Sequence, residues 1–286
     1  MSDLPWTGLD ADELDRQYDA RGTVDDVGIY LEAYREASTP MYALPCVRDV
    51  AYGKGPDERL DLFPVPGRPH APLFVFVHGG YWRALAKEDS VFMAQAFTER
   101  GIAVASLDYG LAPAVRLEEI VAQCRRGIAW LHRHGREHGV DAARMVVGGS
   151  SAGGHLAAML LAPGWQAEHG LPPQVLRGGA LVSGLFDLAP VQRTRPNTWL
   201  RMDEAQARAL SPLHLLPPAG TRLCIAAAHA DTTEFKRQSD QYADACRTHG
   251  CIVQSLTVPG RNHFDVIMEW MNPVAPLTRA TWALFD

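Results

Sequence analysis

Residues 149–153 read Gly-Ser-Ser-Ala-Gly, directly after the apolar run Met145-Val146-Val147. With Ser151 at the centre the spacing is G-x-S-x-G; centring on Ser150 would put Ala152 where the second glycine belongs. A strand that turns at once into a helix leaves little room for side chains beside the turn. Flanking glycines and a strained central serine, whose hydroxyl is pushed out of the sheet, satisfy that geometry. A helix beginning near Ala152 would aim free N–H groups at the same point, where they favour developing negative charge. A phosphate-binding loop would instead end in G-K-[ST], which is absent here.

A serine hydroxyl is a weak nucleophile at neutral pH and needs a base, which in turn needs an orienting acid. After an elbow of this kind the chain order is serine, acid, histidine. His263 lies in VPGRNHFD, just past the last strand-like run, where a loop can return to the elbow. His155 follows Ser151 by one helical turn and is carried away from its hydroxyl, while His214 and His249 read as surface or packing residues. The run RLCIAAAH leads to Asp231, the expected acid; Asp187, after VSGLF, is the alternative. Acyl transfer also needs donors for an oxyanion. HGGYW at 78–82 follows the strand-like FVFV, and glycine there lets backbone approach a substrate closely. The expected donors are the N–H groups of Gly80, Tyr81 and Ala152, giving a site of Ser151, Asp231 and His263 with that oxyanion hole.

Metal chemistry has one candidate, HRHGREHG at 132–139. Of His132, His134 and His138, only the last two have i, i+4 spacing, and no glutamate follows His134 as in HExxH. A solvated helix end accounts for them. No dinucleotide fingerprint follows the first parallel strand, so neither a metal nor a cofactor is expected.

These residues must be positioned by a scaffold. Eight strand-like runs occur at 47–53, 59–64, 72–79, 102–109, 144–149, 178–184, 222–229 and 251–258. Helical stretches are read at 10–37, 88–100, 115–138, 152–163, 203–210, 233–248 and 275–285, with Thr23 and Asp26 resembling a capping box before Val27. Continuous apolar strands alternating with helices predict an α/β sandwich: a mostly parallel sheet covered on both faces, with the first two strands as an antiparallel edge hairpin. Residues 1–286 read as one domain. The helical segment 1–45 could cap the site, and the proline-bearing 185–220 reads as an excursion over the sheet.

Apolar residues make up 47% of 286, enough for a large core, and the net charge of -6 disfavours nucleic-acid binding. Five cysteines without a CxxC pair predict free thiols in a cytoplasmic protein, although Cys246 and Cys251 lie close enough in sequence to cross-link under oxidising conditions. The acidic, polar start lacks the features of a signal peptide, and no apolar run is long enough to span a membrane. The expected partner is a small-molecule substrate, with no nucleic acid and no membrane. A homodimer is compatible with the sequence.

HGGYWR, LDYGLAP (107–113), GSSAG, SGLFDLAPV (183–191), HADTTEF (229–235) and GRNHF (260–264), with RQYDARG near the start, together resemble the kynurenine formamidase (arylformamidase) group of α/β-hydrolases. That group lies near the hormone-sensitive-lipase type of esterase. The resemblance implies the α/β-hydrolase fold, and oxyanion donors at the second glycine of HGGxW and the residue after it, which are Gly80 and Tyr81. The esterases more often carry HGGG, so Tyr81 follows the formamidases; Gly110 and Ala114 depart from the esterases' DYRLAPE. The implied activity is hydrolysis of N-formylkynurenine or a similar N-formyl arylamine. Tyr81, Trp82, Trp199 and Phe264 are aromatic candidates for the leaving-group side. A carboxylesterase for short-chain or aryl esters is the alternative, and a non-catalytic binding protein of the same fold is the alternative of another class.

Overall fold

The computed structural model describes residues 5–286. Eight strands form one sheet: β1 (Val47–Ala51), β2 (Arg59–Phe63), β3 (Ala71–Val77), β4 (Ala103–Leu107), β5 (Val140–Ser150), β6 (Gly178–Val182), β7 (Arg222–Ala228) and β8 (Ile252–Val258). Their spatial order is β1-β2-β4-β3-β5-β6-β7-β8. β1 pairs antiparallel with β2, and β2 antiparallel with β4; every later pairing is parallel. The antiparallel edge and the parallel centre follow the sequence reading. β3 is buried at every position, as its unbroken apolar run requires for a strand covered on both faces.

The helices are α1 (Ala11–Gln17), α2 (Val27–Ser38), α3 (Ala94–Glu99), α4 (Leu117–His134), α5 (Ala152–Leu161), α6 (Ala189–Gln192), α7 (Asn197–Leu200), α8 (Glu204–Ala209), α9 (Thr233–Thr248) and α10 (Pro276–Trp282). The sheet divides two cores. Leu73, Val75 and Val77 of β3 pack on the side of α4, α5 and α9, whereas Phe74 and Phe76 face Phe97 of α3 and Trp270. Alternation along one strand therefore serves both layers.

The segment read as helical over 10–37 is two helices joined by a 3-10 turn. Its capping box is corrected as well. Asp26 itself is the N-cap of α2, accepting the Gly28 N–H at 2.7 Å, while Thr23 donates to the Ala20 carbonyl at 2.7 Å. The aspartate adopts the extended N-cap conformation one residue before Val27, so no serine or threonine cap is needed.

The loop after β3 is tied down by buried charge. Lys87 lies under the surface with its ammonium 2.8 Å from Asp49 and 3.2 Å from Asp61, and in contact with Glu88. Its backbone N–H reaches Asp108, just past β4, at 2.9 Å. A lysine buried in this way stays charged because carboxylates surround it, against the burial that would neutralise it. Among the described residues no helix is long and apolar enough to cross a membrane.

At the elbow between β5 and α5 backbone packs closely against backbone. A Cβ on Gly153 would stand 2.1 Å from the Val77 carbonyl oxygen, and one on Gly149 would stand 2.3 Å from the Gly153 carbonyl oxygen. Overpacking of this kind costs about 1–3 kcal/mol, so Gly153→Ala is expected to lower the melting temperature by about 3–10 °C. Gly8→Ala, where nothing lies within 4 Å, is the reference and should stay within about 2 °C. Thermal unfolding of both variants checks this; equal midpoints would show that the elbow tolerates a side chain.

Candidate active site

Ser151 follows the last residue of β5 and precedes the first of α5. Its backbone stands at φ 56° and ψ −122°, outside the region an L-residue prefers. Ser150, by contrast, completes the strand. The elbow residue is therefore Ser151, although both serines line the cavity described below. The strained turn is held by the Ser151 N–H donating to the Val182 carbonyl at 2.9 Å. No side chain caps α5, and among the described residues no acceptor meets the Ala152 N–H.

His263 sits in the loop beyond β8. Its Nδ1 lies 2.7 Å from Asp231 Oδ1. The second carboxylate oxygen, Oδ2, accepts the Ser183 hydroxyl at 2.5 Å and the Ala228 N–H at 2.8 Å. Burial by itself would raise the Asp231 carboxyl. The His263 ring, the Ser183 hydroxyl and the Ala228 N–H outweigh it and hold the group below the ordinary aspartate value. The carboxylate therefore accepts rather than donates, so Nδ1 carries a hydrogen, and in the neutral imidazole Nε2 is then the nitrogen with the lone pair. Nε2 is buried and meets no partner among the described residues. Asp187, the alternative acid, spends its carboxylate on the Ala189 N–H at 3.0 Å.

The loop after β3 supplies the facing wall. Gly80, Tyr81 and Trp82 all have positive φ, at 93°, 51° and 57°. A Cβ on Gly80 would stand 2.2 Å from the Ala84 carbonyl oxygen, so only glycine fits the turn. Among the described residues no acceptor meets the N–H of Gly80 or Tyr81. The loop is clamped from behind: Tyr109 stacks on His78 at 4.2 Å and donates to the His78 carbonyl at 2.8 Å.

Ser150, Ser151, Gly80 and His263 line one cavity of about 530 Å³, within the range of small-molecule sites. Three of the four aromatic candidates, Tyr81, Trp199 and Phe264, also line it. Trp82 does not, which corrects the sequence reading. The backbone turn at Tyr81 and Trp82 sends the two rings apart. Trp82 is fully buried, and its indole N–H donates to His155 Nδ1 at 3.2 Å. Nε2 of His155 then donates to the Leu210 carbonyl at 2.8 Å, and burial pushes this imidazole down to about 4. His155 is thus a neutral core histidine with both nitrogens engaged, while His214 and His249 are exposed.

The sequence reading missed the residues that hold the N-terminal segment over this cavity. Tyr18 donates to Glu234 at 2.9 Å and accepts from Gln238 at 2.7 Å. Asp15 accepts the Arg195 N–H at 2.6 Å, joining this segment to the excursion at 185–220. Tyr30 stacks on Phe264 at 5.6 Å, and the Tyr34 hydroxyl donates to the Phe264 carbonyl. Residues of both segments line the cavity. Ser183, also missed, stood inside the SGLFD motif, but no local rule marks a serine hydroxyl as the partner of an acid 48 residues away.

Among the described residues no group of three or more histidine, cysteine or acidic side chains could hold a metal. His134 pairs with Glu137 at 3.2 Å, and His134 and His138 both lie against Trp130. All five cysteines are free thiols, so Cys246 and Cys251 are not cross-linked.

The strand order, the elbow and the loop after β3 define an α/β-hydrolase. The BD-FAE family model matches residues 60–168. The kynurenine formamidase of Salmo salar is 33% identical over 96% of each chain, and that of Danio rerio is 31% identical over 98% of this chain and 97% of its own. The chain belongs to the kynurenine formamidase family. Among solved structures, a protein from Silicibacter sp. provisionally assigned as a thioesterase is 29% identical, with a TM-score of 0.80 over 94% of this chain and 99% of its own. The carboxylesterase EstE1, cloned from a metagenomic library, shares the fold with a TM-score of 0.70 and 19% identity over 97% of each chain. The protein is a hydrolase of the amide- or ester-cleaving kind.

The depressed Asp231 carboxyl has a pH signature. A folded-state value below the unfolded one adds stability that is present above the unfolded value, and that is lost as pH falls through the folded value. The stability difference between wild type and Asp231→Asn should therefore be larger at pH 6 than at pH 3, near and below the ordinary aspartate value of about 4. Urea unfolding of both proteins at the two pH values measures it. A pH-independent difference would mean that the carboxylate charge contributes nothing to the fold.

Proposed function

We infer that the protein hydrolyses N-formyl arylamines, N-formylkynurenine foremost, through an acyl-enzyme on Ser151. The observation that carries this reading is His263, bonded to Asp231 through Nδ1 while its buried Nε2 is left without a partner in a residue that lines the same cavity as Ser151. Nε2 accepts the proton as Ser151 Oγ attacks the formyl carbon, and Asp231 stabilises the imidazolium that forms. The N–H groups of Gly80, Tyr81 and Ala152 hold the oxyanion; such donors are worth about 3–4 kcal/mol each. Collapse breaks the C–N bond, and the proton on His263 passes to the leaving arylamine. Water, activated by the same imidazole, then releases formate and frees Ser151.

The full-length likeness to two kynurenine formamidases supports the formamide substrate over an ester. Tyr81, Trp199 and Phe264 give a flat leaving group aromatic surfaces to lie against. The N-terminal segment and the excursion at 185–220 act as the cap. Five free thiols agree with a reducing, cytoplasmic compartment, and a homodimer remains compatible with the chain.

The decisive test is kcat/KM for N-formylkynurenine beside p-nitrophenyl acetate. A preference for the formamide is expected; ester turnover with negligible formamide turnover would move the protein to the carboxylesterases, and turnover of neither would point to a binding protein. Ser151→Ala should abolish turnover and leave a folded protein, while Ser150→Ala should retain most of it. A triad acid replaced by its amide costs about 10⁴ in kcat. Asp231→Asn is therefore expected to fall by that order and Asp187→Asn by far less, and the reverse ranking would assign the acid to the preceding strand.

A further inference from the structure

The outer half of the cavity is charged in a way the acyl-transfer chemistry does not use. Four arginines line it: Arg16, Arg21, Arg83 and Arg195. Arg16 is neutralised by Glu13 at 2.5 Å. Among the described residues, none of the other three guanidinium groups has a carboxylate within ion-pair distance. Arg83 is nonetheless held in place, because its guanidinium lies over the Trp199 ring at 4.4 Å and Trp199 in turn donates to the Tyr81 carbonyl at 3.2 Å. Arg195 is fixed at its backbone by Asp15. Three aspartates, Asp12, Asp15 and Asp19, line the same region, and none forms an ion pair with a described residue.

Three guanidinium groups beside three carboxylates, with Asp15 engaged only by the Arg195 backbone N–H, make a mouth that is balanced in charge yet has no ion pair among these six groups. A site for a simple anion would show an excess of arginine, and a site for a neutral ring would need neither sign. A ligand that carries both signs a few ångströms apart satisfies the whole set. We propose that this mouth is a subsite for an α-amino-acid zwitterion on the leaving group, with Arg83 and Arg195, supported by Arg21, taking its carboxylate and Asp15 and Asp19 its ammonium. Guanidinium forks suit a carboxylate because they offer paired donors in one plane. The subsite lies on the loop that carries Gly80 and Tyr81 and on both capping segments, so it orients the leaving group from the end remote from Ser151. The assignment rests on the reading of the site as one that releases an arylamine.

Direct binding tests it without requiring turnover. Isothermal titration calorimetry on the full chain would compare kynurenine, its analogue lacking the α-amine (4-(2-aminophenyl)-4-oxobutanoate), and 2-aminoacetophenone, which keeps the ring and loses the amino acid. Charge-assisted contacts of this kind are worth about tenfold or more in affinity. Kynurenine should bind at least about tenfold tighter than 2-aminoacetophenone, and the double variant Arg83→Gln/Arg195→Gln should bring that ratio towards one, with partial recovery in Arg83→Lys/Arg195→Lys. Asp19→Asn should weaken kynurenine while sparing the analogue without the amine. Equal affinities in the wild type, no detectable kynurenine binding, or a ratio unchanged in the double variant would overturn the proposal. Failure of the formamidase reading is seen separately, as absent N-formylkynurenine turnover in a protein whose binding ratio still holds.

Discussion

The reversal of β5 into α5 against the end of β3 is the contact on which the rest of the site depends. Backbone meets backbone there: the Gly153 Cα faces the Val77 carbonyl so closely that one methyl group would overlap it. The same approach fixes the start of the loop at 78–82, because His78 follows Val77 directly. The Ser151 N–H is meanwhile held by Val182 at the end of β6. Three neighbouring strands thus set the serine and the facing loop in one frame. The strained backbone of Ser151, which costs about 1–3 kcal/mol in isolation, is carried by these surrounding contacts.

Buried polar groups in this structure divide into those fully satisfied and those left open. His155 uses both nitrogens inside the core and is neutral. Asp231 is also buried, but three donors compensate for the water it has lost. His263 differs in having one nitrogen bonded and one without a partner. Folded proteins rarely leave a buried polar atom unpaired; among the described residues seven buried side-chain atoms lack a hydrogen-bond partner, and His263 Nε2 is the one that belongs to a residue lining the cavity. The contrast between two buried histidines, one closed and one open, is the physical basis for assigning them different roles.

Few contacts hold the N-terminal segment against the rest of the cavity lining. Tyr18 reaches Glu234 and Gln238 of α9, and Gln238 also accepts the N–H groups of Phe186 and Asp187 at 2.6 and 2.8 Å. One glutamine side chain therefore couples the N-terminal segment to the start of the excursion. The His263 loop is gripped by the same segment through Tyr30 and Tyr34. Wall and base of the cavity are consequently positioned by residues from both ends of the chain.

Short-range patterns made much of this legible from sequence alone. Strand-like runs marked all eight strands; the central parallel ones are continuously apolar because both their faces are buried, whereas the edge strands β1 and β8 are largely exposed and mixed in character. GSSAG identified the elbow because the backbone geometry of a strand-to-helix turn admits only glycine at those two positions, and HGG marked the loop facing it. Tertiary structure decided what depends on distant partners. Tyr81 and Trp82 are adjacent and both aromatic, yet one lines the cavity and the other is sealed against His155, since the direction of a side chain in a loop of positive φ follows no period. The Tyr18–Glu234 bond joins residues 216 apart, and neither residue carries a local signal of the other. Spacing along the chain encodes backbone constraints of a few residues; the choice of which side chains meet across the fold is made only by packing.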